Sequence, residues 1–188
     1  RISTAIAVVL SLTAGAAAGS RAVITVPSAA MDTELKATVV IPSRYEETSK
    51  HFPVIYLLHG YAGDHRVWSR LADMERLADR YDIVFVCPSG GRASWYIDSP
   101  IDSDSRYETH IVRELIPYID QHYRTIDSRE GRALIGSSMG GYGALMLLCT
   151  HPGMFRGAGS ISGIMDLTAF PAEWGIADVL GPYEKNRE

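Results

Sequence analysis

Runs of apolar and β-branched residues recur along most of the chain and are separated by polar segments. The third and fourth runs are continuously apolar, which predicts strands buried on both faces of a sheet. The others are shorter or alternate only in part, but their β-branched residues also indicate strands. The six predicted strands lie at 21–26, 35–42, 53–60, 83–86, 133–135 and 157–163.

Two segments between the strands have apolar residues at helical spacing. The first predicts a helix from Asp64, a candidate N-cap, to Tyr81, and the second a helix over 107–123. Because strands and helices alternate, we expect an α/β fold with a mostly parallel sheet and helices on both faces. The inner positions of the two helices are Val67, Leu71, Met74, Leu77 and Tyr81, and Ile111, Leu115, Ile116 and Ile119.

Residues 1–20 differ from the rest of the chain. Arg1 precedes an apolar stretch at 6–10, and a run of small residues follows at 14–18. These are the features of a secretory signal peptide, and the apolar part is too short for a membrane span. We therefore expect a partial signal peptide over 1–20, with one domain over 21–188. The protein would be secreted or periplasmic, without stable membrane insertion after cleavage; an uncleaved N-terminal anchor is the alternative.

Composition and charge narrow the function classes. The 188 residues are 46% hydrophobic and 21% charged, which is ordinary for a soluble domain. A net charge of −4, with no basic cluster longer than two residues, argues against a nucleic-acid partner. The sequence has no C-x-x-C motif and no His/Cys cluster at metal spacing, so we expect no metal. Cys87 and Cys149 are predicted to be buried free thiols, with a disulfide as the alternative.

The segment 131–148 carries the strongest chemical signal. An apolar run leads into Gly136-Ser137-Ser138-Met139-Gly140, and an Ala/Leu/Met-rich helical pattern follows. Strand, tight turn and helix around G-x-S-x-G form a nucleophile elbow, which holds the serine Oγ clear of the backbone. Only Ser138 has a glycine two residues before and two after it, so Ser138 is the predicted nucleophile. A plain Gly/Ser turn between packed elements is the alternative.

Acyl transfer at such a serine needs N–H donors for the tetrahedral oxygen. One is expected from Met139, and a second from the loop that follows the third strand, for which we predict Tyr61 N–H. His59, in the same loop, is predicted to be a structural, hydrogen-bonded histidine. Trp95, in the Gly/Ser/Pro/Asp-rich loop 88–105, is a candidate substrate-binding residue in the pocket wall. An aromatic that only covers the core fits Trp95 equally well.

Together these segments resemble the esterase D-like α/β-hydrolases. That family includes tributyrin-type esterases, S-formylglutathione hydrolases, feruloyl and acetylxylan esterases, and mycolyltransferases. The similarity covers about residues 34–188 and is carried by 56–60, 94–100, 136–144 and 162–163. It implies an α/β-hydrolase fold and a serine carboxylic-ester hydrolase that needs no metal or cofactor. Its substrate would be a small-molecule or carbohydrate-linked ester.

The chain departs from that family in the catalytic triad, which runs Ser, acid, His in chain order. After Ser138 only His151 remains, and a helix of this length places it about 20 Å from the serine. Asp166 is a weak candidate for the acid, and Asp178 lies in a polar tail. We therefore expect the last strands, the acid and the histidine beyond residue 188. Residues 1–188 alone would then be inactive and would expose a sheet edge.

Three functions are compatible with these residues. The first is a secreted esterase that acts through a Ser138 acyl-enzyme. The second is a mycolyltransferase-like acyltransferase, which would pass the acyl group to a sugar hydroxyl. The third is a non-catalytic, hydrolase-like binding domain. A strained serine turn is costly to keep without a use, which favours the first two.

Overall fold

Six strands form one sheet in the order β1-β2-β4-β3-β5-β6 in a computed structural model that describes residues 19–185. In the part of the sheet with the order β4-β3-β5-β6, all neighbouring strands are parallel. The pairs β1/β2 and β2/β4 are antiparallel. The predicted α/β architecture with a mostly parallel sheet is therefore confirmed. The strands are β1 (Ser20–Ser28), β2 (Thr33–Ile41), β3 (Val54–Leu58), β4 (Val84–Pro88), β5 (Arg132–Ser137) and β6 (Gly157–Ile161).

The start of β1 lies close to the predicted domain boundary. Ser20 already pairs with Ile41, and Gly19 N–H donates to Asp79 Oδ2 at 3.0 Å. Pairing in the sheet therefore starts at Ser20, one residue before the predicted boundary, and the division at residues 20 and 21 stays a prediction. The rest of the predicted signal peptide lies outside the described residues. Within 19–185, no helix has the length and apolar character needed to cross a membrane.

Helices cover both faces of the sheet, as expected from the alternating pattern. Two clusters of buried side chains lie on opposite faces, and the longest helix, α5, packs into the larger one. The smaller cluster lies beneath α2 and contains Met74 and Ala78. The helices are α1 (Val67–Leu71), α2 (Met74–Tyr81), α3 (Tyr107–Thr109), α4 (Ile116–His122), α5 (Met139–Thr150) and α6 (Ile176–Leu180).

The single helix predicted from Asp64 to Tyr81 is wrong. The chain is extended at Ala72, and Asp73 then caps α2 by accepting a hydrogen bond from Arg76 N–H at 3.0 Å. Asp64 lies in the preceding turn, where its side chain accepts a hydrogen bond from Arg66 N–H at 2.8 Å. The break rotates the predicted inner stripe, so Leu71 is 72% exposed and Tyr81 is 54% exposed.

The second predicted helix forms, but with a π-helical turn in its middle. The helical path runs through α3, a π-helical segment (His110–Leu115) and α4. Pro117, at the start of α4, has no N–H for the carbonyl four residues earlier, and a wider turn before it relieves the clash of its ring. The predicted inner residues are all buried: Ile111, Leu115, Ile116 and Ile119.

The two cysteines have different environments. Cys87 is fully buried at the end of β4, and burial raises the pKa of its thiol to about 12. Cys149 is exposed on α5, so the prediction that it is buried is wrong. Both thiols are free, which also excludes the alternative of a disulfide between them in this structure.

The strand β6 forms one edge of the sheet. Among residues 19–185 it pairs only with β5, and Ile161 at its end is 52% exposed. The expected exposed sheet edge is therefore present. Further strands beyond residue 188 stay a prediction.

Candidate active site

Ser138 stands in a strained turn between β5 and α5. Its backbone angles are φ 54° and ψ −119°, a region that side-chain-bearing residues adopt at a cost. Two hydrogen bonds hold the turn: Ser138 N–H donates to Ile161 O at 2.8 Å, and Ser138 O accepts from Tyr142 N–H at 3.1 Å. The side chain is partly exposed at the start of the twelve-residue α5. This is the geometry that the elbow motif predicts for a nucleophile.

The glycines around Ser138 are required by close packing. A Cβ atom at Gly136 would lie 1.9 Å from Gly140 O, so β5 and α5 touch through their backbones. A Cβ atom at Gly140 would lie 2.2 Å from Leu58 O, at the end of β3. Neither position has room for a side chain, because the obstacles are backbone atoms. The spacing of the motif therefore reflects a real three-way contact between β3, β5 and α5.

The loop after β3 passes directly against Ser138. A Cβ atom at Gly60 would lie 3.3 Å from Ser138 Cβ and 3.9 Å from Ser138 Oγ. Tyr61 follows, and its neighbours use their N–H groups within the protein: Ala62 N–H donates to Arg92 O at 2.7 Å and Gly63 N–H to Gly60 O at 3.0 Å. Within the described part of the chain, Tyr61 N–H has no acceptor, so it remains available to a ligand.

Met139 supplies the other predicted donor. It is the first residue of α5, and its side chain is fully buried. The first N–H groups of a helix have no partner within the helix and lie at the positive end of its dipole. The structure therefore places Tyr61 one residue after Gly60, which packs against Ser138, and Met139 directly after Ser138. Their role as an oxyanion hole stays a prediction.

His59 has the structural position that the sequence predicts. It is fully buried, its Nε2 accepts a hydrogen bond from Gly90 N–H at 2.8 Å, and its Nδ1 lies 2.8 Å from Gly60 O. Because Nε2 accepts, the ring proton is on Nδ1, which donates to Gly60 O. Burial lowers the pKa of His59, which keeps the ring neutral. Both ring nitrogens of His59 are thus engaged within the protein, where they join the loop after β3 to Gly90.

Trp95 lies beneath the surface near the elbow. Only 1% of it is exposed, its ring meets that of Tyr142 edge to face at 5.6 Å, and its Nε1–H donates to Trp174 O at 3.2 Å. In this position it covers the core, as the alternative interpretation held. A direct contact with substrate would require the chain at Trp174 to move, so substrate binding by Trp95 stays a prediction.

Among residues 19–185, no histidine is hydrogen-bonded to the hydroxyl of Ser138. His151 ends α5, where its Nε2 lies 2.8 Å from Glu108 Oε1, on the far side of twelve helical residues. Asp166 accepts hydrogen bonds from Thr168 Oγ1 and Thr168 N–H, which lower the pKa of its carboxyl group. These bonds make Asp166 the cap of a short turn, and among residues 19–185 it contacts no histidine.

A group of residues beside the loop after β3 was not predicted from the sequence. The Arg92 guanidinium lies 5.2 Å from the ring centroid of Tyr61, and a Cβ atom at Gly175 would lie 3.8 Å from Tyr61 Cε2. The exposed rings of Phe170 and Trp174 pack at 5.4 Å just before that glycine. No local pattern signals these contacts, because the residues come from three separate segments of the chain. Only the spacing of the aromatic residues could have hinted at a shared surface.

Comparisons with known proteins agree with this geometry. Residues 28–188 match the family model described as "Putative esterase". An esterase of Mycobacterium tuberculosis (strain H37Rv) is 36% identical over 130 residues, which cover 66% of this chain and 28% of that protein. The diacylglycerol acyltransferase/mycolyltransferase Ag85A of Mycobacterium gordonae is 30% identical over 150 residues, covering 75% of this chain and 42% of that protein.

A solved structure extends the likeness to the fold. A ferulic acid esterase superposes with a TM-score of 0.75 and 28% identity, over 90% of this chain and 69% of that one. The chain thus spans less than half of the two curated relatives that it matches and about two thirds of this esterase structure. The family model covers most of the chain, and a serine stands at the junction of β5 and α5 as the elbow motif requires. The chain therefore belongs to the family described as "Putative esterase", within the α/β-hydrolase fold.

Proposed function

We propose that the chain is the nucleophile-bearing part of a secreted serine esterase. The observation that carries the proposal is the backbone of Ser138, held at φ 54° between β5 and α5 with Gly60 packed against it. Strain of this kind persists where a function requires it. The esterase family and the esterase relatives support the same reaction class.

In the proposed reaction, Ser138 Oγ attacks the ester carbonyl carbon while a histidine takes the serine proton. Tyr61 N–H and Met139 N–H donate to the oxygen of the tetrahedral intermediate. The intermediate collapses, the histidine proton passes to the departing alcohol, and an acyl-enzyme remains. Water then attacks the acyl-enzyme while the histidine takes one of its protons, and the histidine passes that proton to Ser138 Oγ as the carboxylic acid leaves.

The acid and histidine of this mechanism are proposed to lie beyond residue 188. No described histidine contacts Ser138, and the triad acid and histidine follow the serine in chain order. Reading the coding frame past Glu188 tests this part directly. We expect an acid and then a histidine, each after an apolar strand. A stop codon directly after Glu188 would favour a non-catalytic binding domain over a serine esterase.

The activity itself is tested by hydrolysis of p-nitrophenyl acetate by the product of the whole reading frame. Ser138→Ala should lower kcat/KM by a factor of about 10⁴ or more, since removal of a triad member leaves only binding and oxyanion stabilisation. Ser137→Ala is the matched control, because it changes the neighbouring hydroxyl and should leave the rate close to wild type. Equal losses of kcat/KM in both variants would contradict the proposal.

Acyl transfer is the second candidate, and the likeness to the Mycobacterium gordonae mycolyltransferase favours it. The same acyl-enzyme would form, but a sugar hydroxyl would replace water as the acceptor. Adding a sugar such as trehalose to the assay separates the two reactions. Hydrolysis leaves free acid as the product, whereas transfer converts most of the acyl group to a sugar ester.

Secretion is the last part of the proposal. It rests on residues 1–20, whose positive start, apolar core and small-residue run indicate a signal peptide. The substrate would then be an ester available outside the cytoplasm, free or linked to carbohydrate. Mass spectrometry of the protein recovered from the medium or periplasm should find an N-terminus near residue 19. Recovery in the cytoplasm with the leader intact would contradict this part.

A further inference from the structure

A groove lies at the other end of the sheet, away from β6. Arg21 and Val23 of β1, and Thr38 of β2, form one side of it. The side chains of Val23 and Thr38 lie next to each other, because the two residues are register partners in the hairpin. The other side is formed by Arg66, Ser69 and Arg70, at and within α1. None of the residues placed around Ser138 lines this groove.

Positive charge is concentrated at this groove in a protein whose net charge is −4. The buried His65 lies beside this charge, with its Nδ1 2.8 Å from Thr38 Oγ1. Burial lowers the pKa of His65, and the charges of Arg66, Lys36 and Arg70 lower it further, against the opposing effect of Asp64. Arg21 lies on β1, Lys36 on β2, and Arg66 and Arg70 at and within α1. Four cationic side chains therefore come from three separate elements.

Most of the guanidinium donors in the groove are not used within the protein. Arg66 donates its Nε–H and one terminal NH₂ group to Asp64. Arg70 Nη2 lies 3.8 Å from Asp64 Oδ2, beyond hydrogen-bond distance, and Arg21 faces Glu75 only through Nε, at 3.3 Å. Within the described part of the chain, the terminal N–H groups of Arg21 and Arg70 have no acceptor.

The hydroxyl of Ser69 is a second, independent observation. Its Oγ is buried and has no hydrogen-bond partner among residues 19–185. Ser69 belongs to the lining of the groove, between Arg66 and Arg70. A buried hydroxyl without a partner is costly, and rotation of the Ser69 side chain toward an acceptor bound in the groove would satisfy it.

We propose that this groove binds a phosphate group. A guanidinium presents parallel N–H groups that match two phosphate oxygens, so the free ends of Arg21 and Arg70 form a clamp from opposite sides. Asp64 holds the guanidinium plane of Arg66, and Glu75 faces that of Arg21, so the site is not a uniform positive patch. Since Arg21 and Arg70 are 44% and 60% exposed, binding is modest in strength and weakens as salt is added.

The test is calorimetric titration of the protein with inorganic phosphate at constant ionic strength. We expect one site, and about a tenfold loss of affinity in Arg70→Gln and in Arg21→Gln, because each removes a charge-assisted contact. Arg113→Gln is the matched control, since Arg113 is exposed on the π-helical segment and should bind phosphate as wild type does. Equal binding by all three variants, or the same heat from sodium chloride, would overturn the site.

A spectroscopic readout locates the site in the same protein. Phosphate should move the His65 ring resonances and raise the pKa of His65 in wild type and in Arg113→Gln, but not in Arg70→Gln. An unchanged His65 in wild type would place any bound phosphate elsewhere and contradict the proposal. Circular dichroism of each variant separates lost binding from lost folding.

The phosphate group that binds could belong to a soluble phosphate ester or to a lipid headgroup. Two further binding experiments distinguish these sources. Glycerol phosphate represents a soluble phosphate ester, and vesicles of phosphatidylglycerol represent a lipid headgroup, with phosphatidylcholine vesicles as control. Either one competing with inorganic phosphate supports the groove as a phosphate site and names the source. Failure of inorganic phosphate and both of these ligands to bind would overturn it. Ester hydrolysis at Ser138 is not needed for any of these measurements.

Discussion

Leu58 O and Gly140 Cα stand so close that a Cβ atom on Gly140 would lie 2.2 Å from the carbonyl oxygen. This contact joins the end of β3 to the first turn of α5. The loop after β3, which carries Gly60 and Tyr61, thereby lies beside Ser138. The contact between Leu58 and Gly140 therefore both holds the fold together and positions the candidate site. A change at Gly140 is expected to affect stability and activity together.

Gly140→Ala should lower the free energy of unfolding by about 2–3 kcal/mol, because the new methyl group overpacks against backbone. Urea denaturation at constant temperature measures the change. Gly153→Ala is the matched control, since a Cβ atom there would have nothing within 4 Å. That variant should be neutral or slightly more stable, by up to about 1 kcal/mol. If the two variants denature alike, the close packing described for Gly140 is wrong.

Acid should destabilise the protein through its buried histidines. Burial lowers the pKa values of His59, His65 and His110, so these rings stay neutral in the folded state. Below about pH 6.5 the unfolded chain binds protons that the folded chain does not, which favours unfolding. The stability that neutral rings provide is present above that pH and is lost as the pH falls toward the lowered pKa values.

The contribution of His59 to this acid effect can be isolated. His59→Gln should reduce the slope of unfolding free energy against pH, by up to about 1.4 kcal/mol per pH unit below pH 6.5. Urea titrations at a series of pH values between about 7 and 5 give the slope. His51→Gln, which removes an exposed histidine, is the matched control. A slope unchanged in His59→Gln would contradict the neutral, buried ring.

The two thiols should differ sharply in reactivity. Cys149 is exposed and should react with a disulfide reagent within minutes, whereas the buried Cys87, with its pKa raised to about 12, should react only after unfolding. Native protein should therefore give one equivalent, and Cys149→Ala none, by absorbance of the released thiolate. Two equivalents from the native wild-type protein would show that β4 is more open than described.

Trp174 is expected to influence substrate preference. Its carbonyl receives the hydrogen bond from Trp95, its ring is partly exposed, and the next residue, Gly175, lies near Tyr61. Trp174→Ala should raise KM for bulky esters more than for acetate esters, with kcat changed less, because it removes contact area without touching the nucleophile. Leu71→Ala, at an exposed residue remote from this loop, is the control. Equal effects on acetate and bulky esters would argue against a contact with substrate.

The elbow was predictable from the sequence, because strand, turn and helix are local and Gly136 and Gly140 leave one possible serine. The strands were predictable for the same reason, since β3 and β4 are continuous apolar runs. The break at Ala72 was not, because Leu71 and Tyr81 continue the helical spacing although Asp73 starts a new helix. Cys149 was misplaced because α5 is apolar on nearly every side, so periodicity does not reveal its exposed face.

Contacts between distant segments set the limit of sequence analysis at the site. The hydrogen bond from Trp95 to Trp174 and the packing of Gly175 near Tyr61 depend on how two loops meet. Trp95 and Tyr96 both have positive φ values, which local propensity does not suggest for bulky residues. The sequence therefore located the candidate nucleophile, and the structure was needed to find the surface around it.

Ser138 is proposed to form the covalent intermediate, and active-site labelling tests this central claim most directly. The product of the whole reading frame would be treated with a fluorophosphonate, digested and analysed by mass spectrometry. We expect a single adduct on Ser138, present in Ser137→Ala, absent in Ser138→Ala and blocked by prior incubation with an ester substrate. Retained ester hydrolysis with no adduct on Ser138, or with the adduct on another residue, would contradict it.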